Sequence, residues 1–209
     1  MEMSTVSVGG PRVKLNTGRE IPLVGFGTYK VTGQEAVDIA VNAALECGYR
    51  HFDTAKLYVN EPELGNALEK FLPKHGLKRE DVFLTTKFFP AKENNTEVVP
   101  QLVEESLKNL KTSYLDLVLI HYPKSSDREP EDPQNSVNRK DAWLALEKIP
   151  INRIHSIGVS NYEINHIEEI KNYGSKVPAV NQVEYTPHFR RQQLKSYCNE
   201  KGIFFQVTL

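Results

Sequence analysis

Strand-length apolar runs and helical apolar patterns alternate along this chain from Leu23 onward, and no other feature restricts its fold as severely. Ahead of them, Val13-Lys14-Leu15 and Glu20-Ile21-Pro22 flank Asn16-Thr17-Gly18 and predict a short hairpin around a glycine turn. Leu23 to Gly27 reads as a first buried strand. Thr32-Gly33-Gln34-Glu35 fits a capping box, and Val37, Ala40, Val41, Ala44 and Leu45 then recur at helical spacing until Gly48 stops the helix. His51 to Thr54 is a second short strand. Leu64, Ala67, Leu68 and Phe71 make the next helix face, and Val82 to Lys87 the next strand. A helix follows through Val99, Leu102, Val103, Ser106, Leu107 and Leu110, with Pro100 near its start. Tyr114 to His121 is a continuous apolar run, as a strand covered on both faces should be. Polar Lys124 to Arg139, with Pro130 and Pro133, predicts a long loop before a helix around Trp143, Leu144 and Leu146. Further strands begin near Ile154, Ala179 and Ile203. The helices between them centre on Ile164, Ile167 and Ile170 and on Leu194, Tyr197 and Cys198.

No shift of composition marks a linker, so the alternation predicts one parallel α/β domain over residues 8–209, with residues 1–7 as a disordered tail. Two architectures satisfy it, a doubly wound sheet and a barrel. A doubly wound nucleotide fold would carry a glycine-rich fingerprint after its first strand, and Gly25-Phe26-Gly27-Thr28 lacks the third glycine. With 39% hydrophobic and 25% charged residues the chain has the makeup of a folded globular domain. A net charge of −1 argues against nucleic acid and anionic membrane as partners. Met1-Glu2-Met3-Ser4 lacks the basic and apolar parts of a signal peptide, and Cys47 and Cys198 make no disulfide framework. The cytosol is the expected compartment, and Asn94-Asn95-Thr96 is then an accidental glycosylation sequon.

Four residues fall at or beside the carboxyl ends of successive predicted strands: Asp53 and Tyr58, then Lys87, then His121. In a parallel barrel that end is where chemistry is assembled. Each residue has a structural alternative. Asp53 would bond backbone at a strand–loop junction, Tyr58 would be a surface aromatic, Lys87 would snorkel to solvent, and His121 would be a hydrogen-bonded core histidine. A different chemistry would gather His51, Asp53 and His121 as ligands of a metal hydrolase. Barrel hydrolases also draw a ligand from the last strand, so no metal is expected here.

The run Gly48-Tyr49-Arg50-His51-Phe52-Asp53-Thr54-Ala55, followed by Tyr58, Asn60-Glu61 and Gly65, resembles the first signature of the aldo-keto reductase family. Ile157-Gly158-Val159-Ser160-Asn161-Tyr162 resembles its second, although His155 stands where a basic or amide side chain is usual. The resemblance covers residues 8 to 206 and implies a (β/α)8 barrel with Asp53, Tyr58, Lys87 and His121 as a catalytic tetrad. It implies reduction of aldehydes or ketones with a nicotinamide cofactor, expected to be NADPH, although the choice between NADP and NAD rests on residues past those of this chain. Tyr58 would give the proton, Lys87 would lower its pKa, Asp53 would pair with Lys87, and His121 would orient the carbonyl. Ser160, Asn161 and Gln182 match positions that bond the nicotinamide carboxamide, and Gly27-Thr28-Tyr29 matches the segment beside the nicotinamide ribose. Tyr29, Tyr58, His121 and Tyr122 would border the substrate, Tyr122 standing at the usual tryptophan position. Without the resemblance, Ser160-Asn161 reads as an ordinary helix cap.

The resemblance stops at Val207-Thr208-Leu209, where the family usually continues through Ala-Tyr-Ser. The expectation is therefore an incomplete barrel of seven strands, lacking the eighth strand and the C-terminal helices. A second expectation, of a different class, follows from that ending. The chain would be a catalytically silent truncated form that binds or regulates a partner. Oligomeric state and physiological substrate are not legible.

Overall fold

The computed structural model describes residues 10–208. The tail expected over residues 1–7 lies outside the described residues. Strands β1 (Arg12–Lys14) and β2 (Glu20–Pro22) form the antiparallel hairpin. Then come β3 (Phe26–Gly27), α1 (Gln34–Glu46), β4 (His51–Asp53), α2 (Glu61–Lys74), β5 (Phe83–Phe88), α3 (Asn95–Asn109) and β6 (Leu115–Ile120). After these follow α4 (Gln134–Glu147), β7 (Ile154–Ser160), α5 (Ile164–Tyr173), β8 (Val180–Glu184), α6 (Gln192–Glu200) and β9 (Phe204–Thr208). Strands β3 to β9 make a seven-stranded sheet in sequence order, with every neighbouring pair parallel. Strand order alone would suit an open sheet. A single contact shows the curl: Gln182 Nε2 on β8 donates to Asp53 Oδ2 on β4 over 2.7 Å. Laid flat, those strands would stand four spacings apart, roughly 19 Å. The sheet is an incomplete (β/α)8 barrel. Among the described residues β3 and β9 pair only with β4 and β8, and a cavity of about 360 Å³ lies between them.

Strand alternation sorts the apolar residues into two cores. Leu84, Val118, Ile120 and Val159 face outward and meet the buried faces of the helices, including Val41, Leu64, Leu68, Val103 and Trp143. Phe83, Leu117, Leu119 and Val180 face inward, where Leu15 and Ile21 of the hairpin join them at the amino-terminal end. Lys87 shares parity with Phe83 and stands opposite Leu119, so it enters the barrel interior. That placement gives a charged residue an apolar neighbourhood and one accessible direction, toward the carboxyl end.

Gly65 shows how tightly the helices pack. A Cβ at this position of α2 would lie 2.2 Å from the Asn109 carbonyl oxygen and 2.9 Å from Leu110 backbone, at the end of α3. Neither neighbour is a flexible side chain, so the helices must part. Gly65→Ala is expected to cost about 3 kcal/mol, the upper range for overpacking, read as a lower denaturant midpoint with an unchanged slope.

Three sequence expectations need correction. Leu23 to Gly27 is not a buried strand: only Phe26–Gly27 pairs, and Leu23 and Val24 are exposed. β3 lies at the sheet edge beside the cavity, so those residues have a neighbour on one side only. The capping box at Thr32 does not form. Gly33 takes the cap position with φ 83° and α1 begins at Gln34, which leaves Thr32 outside the helix. The loop expected to reach Arg139 ends at Pro133. α4 starts at Gln134 and buries Asn135, Asn138 and Arg139, polar residues that read as loop until their partners are seen. Asn135 accepts from the Ser125 N–H at 3.1 Å and donates to the Glu129 carbonyl at 2.7 Å, while Arg139 forks onto Glu169.

Candidate active site

Asp53 is the last residue of β4, and the chain leaves it through Thr54 and Ala55 into a 3-10 turn, Lys56–Tyr58. Two loops, from β3 to α1 and from β4 to α2, are knitted together here by Asn60, which is 1% exposed. Its Oδ1 accepts from the Thr54 hydroxyl at 2.7 Å, and its Nδ2 donates to the carbonyls of Thr28 at 2.8 Å and Val31 at 2.9 Å. Sequence reasoning quoted Asn60 only as part of a motif. The available signal was an amide beside a helix start, two residues after the candidate tyrosine.

Lys87 is 1% exposed, which excludes snorkelling. Its ammonium donates to Asp53 Oδ1, to the Thr54 carbonyl at 3.0 Å and to Tyr58 Oη at 3.3 Å. Those contacts use all three of its N–H donors. Asp53 Oδ2 takes the Gln182 amide described above, so neither member of the buried ion pair is left bare. Burial pushes the Tyr58 phenol above its usual pKa; Lys87 pulls it down and Asp53 opposes Lys87. The expected lowering by Lys87 is present, yet desolvation of the half-buried phenolate outweighs it. Tyr58 is therefore protonated at neutral pH, the state a proton donor needs.

His121 follows β6, with its backbone N–H bonded to the Phe88 carbonyl at 2.7 Å. Its Nδ1 is buried and has no hydrogen-bond partner, so it is not a satisfied core histidine. Burial first, then the Lys87 charge, lower its pKa to about 4 and keep it neutral. Its ring meets Tyr58 edge-on with centroids 5.8 Å apart and leans on Phe89 at 5.1 Å. Phe89 in turn stacks on Tyr122 at 5.3 Å and 8°. Phe89 was missed from sequence, although an aromatic just past a strand's carboxyl end points to this face.

Asn161 adopts a left-handed conformation, φ 60°, and donates through Nδ2 to the His121 carbonyl at 2.9 Å. Ser160 is the last residue of β7, and its hydroxyl donates to the Gln182 carbonyl at 2.8 Å. α5 begins only at Ile164, so Ser160 and Asn161 are not its cap. A cleft of about 240 Å³ is lined by Tyr29, Tyr58, His121, Tyr122, Ser160, Asn161 and Gln182 among others. The remaining expected residues stand aside from it. Thr28 is buried and its hydroxyl donates to the Asp53 carbonyl at 3.0 Å, while Gly27 borders the cavity between β3 and β9. Asp53 lines that same cavity, and Lys87 is joined to the cleft through its bond to Tyr58. The metal grouping of His51, Asp53 and His121 does not form: His51 Nε2 bonds Thr85 Oγ1 at 2.9 Å. Among the described residues no three His, Cys, Asp or Glu side chains gather as a ligand set.

The two buried histidines set an acid limit. Burial lowers both His51 and His121 from 6.5 to about 4. The unfolded chain thus binds more protons below pH 6.5, and stability is lost as pH falls from about 6.5 through about 4. Each contributes about 3 kcal/mol over that window. Denaturant unfolding at pH 7 and pH 4.5 should show the drop, and His121→Phe should lessen it.

A parallel barrel that buries a lysine–aspartate pair beneath a tyrosine, at the carboxyl ends of its strands, defines an α/β-barrel protein with an enzyme-like polar centre. The chain belongs to the aldo/keto reductase family, whose family model matches residues 23–207. It is 39% identical over 206 residues to a D/L-glyceraldehyde reductase of Hypocrea jecorina, covering 93% of this chain and 62% of that protein. A glyoxal reductase of Bacillus subtilis is 38% identical over 193 residues, covering 91% of this chain and 64% of that one. The chain thus spans a little under two thirds of the length of these curated relatives. An aldo/keto reductase structure from Brucella melitensis superposes with a TM-score of 0.82 at 35% identity, over 95% of this chain and 72% of that one. A Bombyx mori aldo-keto reductase in complex with NADP gives 0.82 at 32% identity, over 94% and 65%. Among the described residues no helix is long and apolar enough to cross a membrane.

Proposed function

We propose that this chain carries the proton-transfer centre of a carbonyl reductase that converts an aldehyde or ketone to an alcohol with NADPH. One observation carries the reading: a fully buried Lys87 joins Asp53 to the hydroxyl of Tyr58, and an unpaired neutral histidine faces that tyrosine. NADPH supplies the hydride, which no side chain can. Tyr58 donates its phenolic proton to the carbonyl oxygen as negative charge develops there. Lys87 stabilises the phenolate left behind, and Asp53 holds Lys87 charged and aimed. His121 directs a neutral N–H donor at the same oxygen. Proton and hydride together account for the two hydrogens of the alcohol, and Tyr58 is reprotonated from solvent.

The residues present fit the nicotinamide end of the cofactor. A carboxamide offers a donor pair and an acceptor, and Asn161, with its Nδ2 already engaged, keeps Oδ1 as an acceptor beside Ser160 Oγ. Gln182 would answer from the opposite side, while Tyr29 and Tyr122 supply flat walls. Gly27 and Thr28 would hold the ribose side. The test is aldehyde-dependent consumption of NADPH, using glyceraldehyde and glyoxal because two relatives are named for them. Turnover of either is expected. Tight NADPH binding without turnover of any aldehyde would replace this reading with the silent, partner-binding one.

A further inference from the structure

The mechanism leaves one buried carboxylate unexplained. Glu61 opens α2 and is 2% exposed, yet it does not line the cleft and its polar partners are not residues that line it. Its Oε1 accepts from the Thr86 hydroxyl at 2.8 Å. Its Oε2 lies 3.2 Å from the Lys56 ammonium and accepts from Asn109 Nδ2 at 3.4 Å. Thr86 immediately precedes Lys87 on β5 and, by alternation, faces the helices while Lys87 faces the barrel interior. Lys56 is the first residue of the turn that ends at Tyr58. One carboxylate therefore bonds the residue beside the lysine and stands at ion-pair distance from the turn that carries the tyrosine, whose Lys56 ammonium also lies 3.0 Å from Glu105.

We propose that Glu61 is a positioning residue that sets the distance between Lys87 and Tyr58 from outside the barrel. The inference rests on the assignment of Tyr58 as proton donor. At 3.3 Å the Lys87–Tyr58 contact is near the long limit of a hydrogen bond, and a small displacement of the turn would break it. Within that turn two backbone bonds close, Tyr58 N to Ala55 O and Val59 N to Lys56 O, at 2.9 and 3.2 Å, while Thr54 and Asn60 fix its two ends. Val59, exposed and β-branched, sits in a left-handed conformation with φ 54°. So unfavourable a conformation is kept only where the surroundings fix it; Asn60 does so on the side of the neighbouring loop, and Glu61, at the start of α2, does so on the side of Lys56. The helix N-terminus favours a negative charge at that position.

The titration of Tyr58 tests this without turnover. Lys87, His121 and Tyr29 meet its ring, Asp53 and Tyr122 act on it through charge, and of these Lys87 favours the phenolate. With tyrosines 13C-labelled at Cζ, the Tyr58 resonance is assigned by its loss in Tyr58→Phe, and its midpoint is followed in Thr86→Val and Glu61→Gln. Thr86→Val removes the bond to Glu61 and no charge. It is expected to raise the midpoint by about half a pH unit, roughly threefold in proton affinity, as Lys87 and Tyr58 separate. Glu61→Gln should raise it too, although losing a nearby negative charge at fixed geometry would lower it. Glu105→Gln, which removes the exposed carboxylate 3.0 Å from Lys56, should leave the midpoint in place. A midpoint that stays or falls in Thr86→Val overturns the proposal. Should that variant not fold, Glu61→Gln decides in its place by the same criterion. Failure of the proton-donor assignment itself would appear separately, as undiminished turnover in Tyr58→Phe.

Discussion

Lys87→Met is expected to lose about 3–5 kcal/mol of stability and, on the proposed mechanism, carbonyl reduction with it. The stability loss follows from what remains. Asp53 is 9% exposed, and with the ammonium removed its carboxylate would retain one side-chain partner, the Gln182 amide. Removing one member of a buried ion pair costs about that much because the survivor stays desolvated and uncompensated. Methionine fills the lysine stem's volume, so cavity formation adds little. The Thr54 carbonyl loses its donor as well. Reduction falls for a separate reason, since the phenolate formed on proton transfer has no cation beside it and burial already disfavours it. Denaturant melts and steady-state kinetics on one preparation check both halves. A melt like that of the parent would show that the pair contributes nothing to the fold, and parental turnover would remove Lys87 from the mechanism.

Tyr58→Phe should separate chemistry from stability. The change deletes one oxygen and leaves the Lys87–Asp53 pair and the Thr54 bond intact, so the melt should move by no more than about 1.5 kcal/mol, a single hydrogen bond's worth. Reduction should fall about 10²–10⁴-fold in kcat, the range for losing a general acid. NADPH affinity should hold, because the ring still forms its edge contact with His121 and its tilted contact with Tyr29 at 5.0 Å. Full turnover in this variant would assign the proton to another group. Loss of NADPH binding in step with rate would make Tyr58 a wall of the cofactor site and not its acid.

Local pattern carried the architecture. Seven strands and six helices are readable from Leu23 onward because apolar period changes with every element and each face is buried against a neighbour. It failed where a polar side chain is buried by its partner. Arg139 reads as loop because Glu169, on which it forks, lies 30 residues further on, while Asn135 and Asn138 are buried by bonds to Glu129 and Ser125 of the loop that precedes α4. The capping box at Thr32 met the residue pattern but not the backbone, since Gly33 reaches the cap conformation first.

The same division runs through the site. By itself the sequence determined which residues stand at the carboxyl ends of the strands, because strand position is a local property and the motifs around Asp53, Lys87 and His121 are contiguous. Closure, pairing and charge state were decided only by tertiary structure. Whether the sheet curls depends on contacts such as Gln182 to Asp53, across 129 residues of sequence. The direction of the Tyr58 pKa depends on how much water the fold removes from the ring, a quantity absent from any local window. His121 becomes a neutral imidazole with an unpaired Nδ1, and Glu61 a partner of two elements, only when separate segments are folded into contact. Short-range spacing selects the groups; long-range burial and pairing decide what each can do.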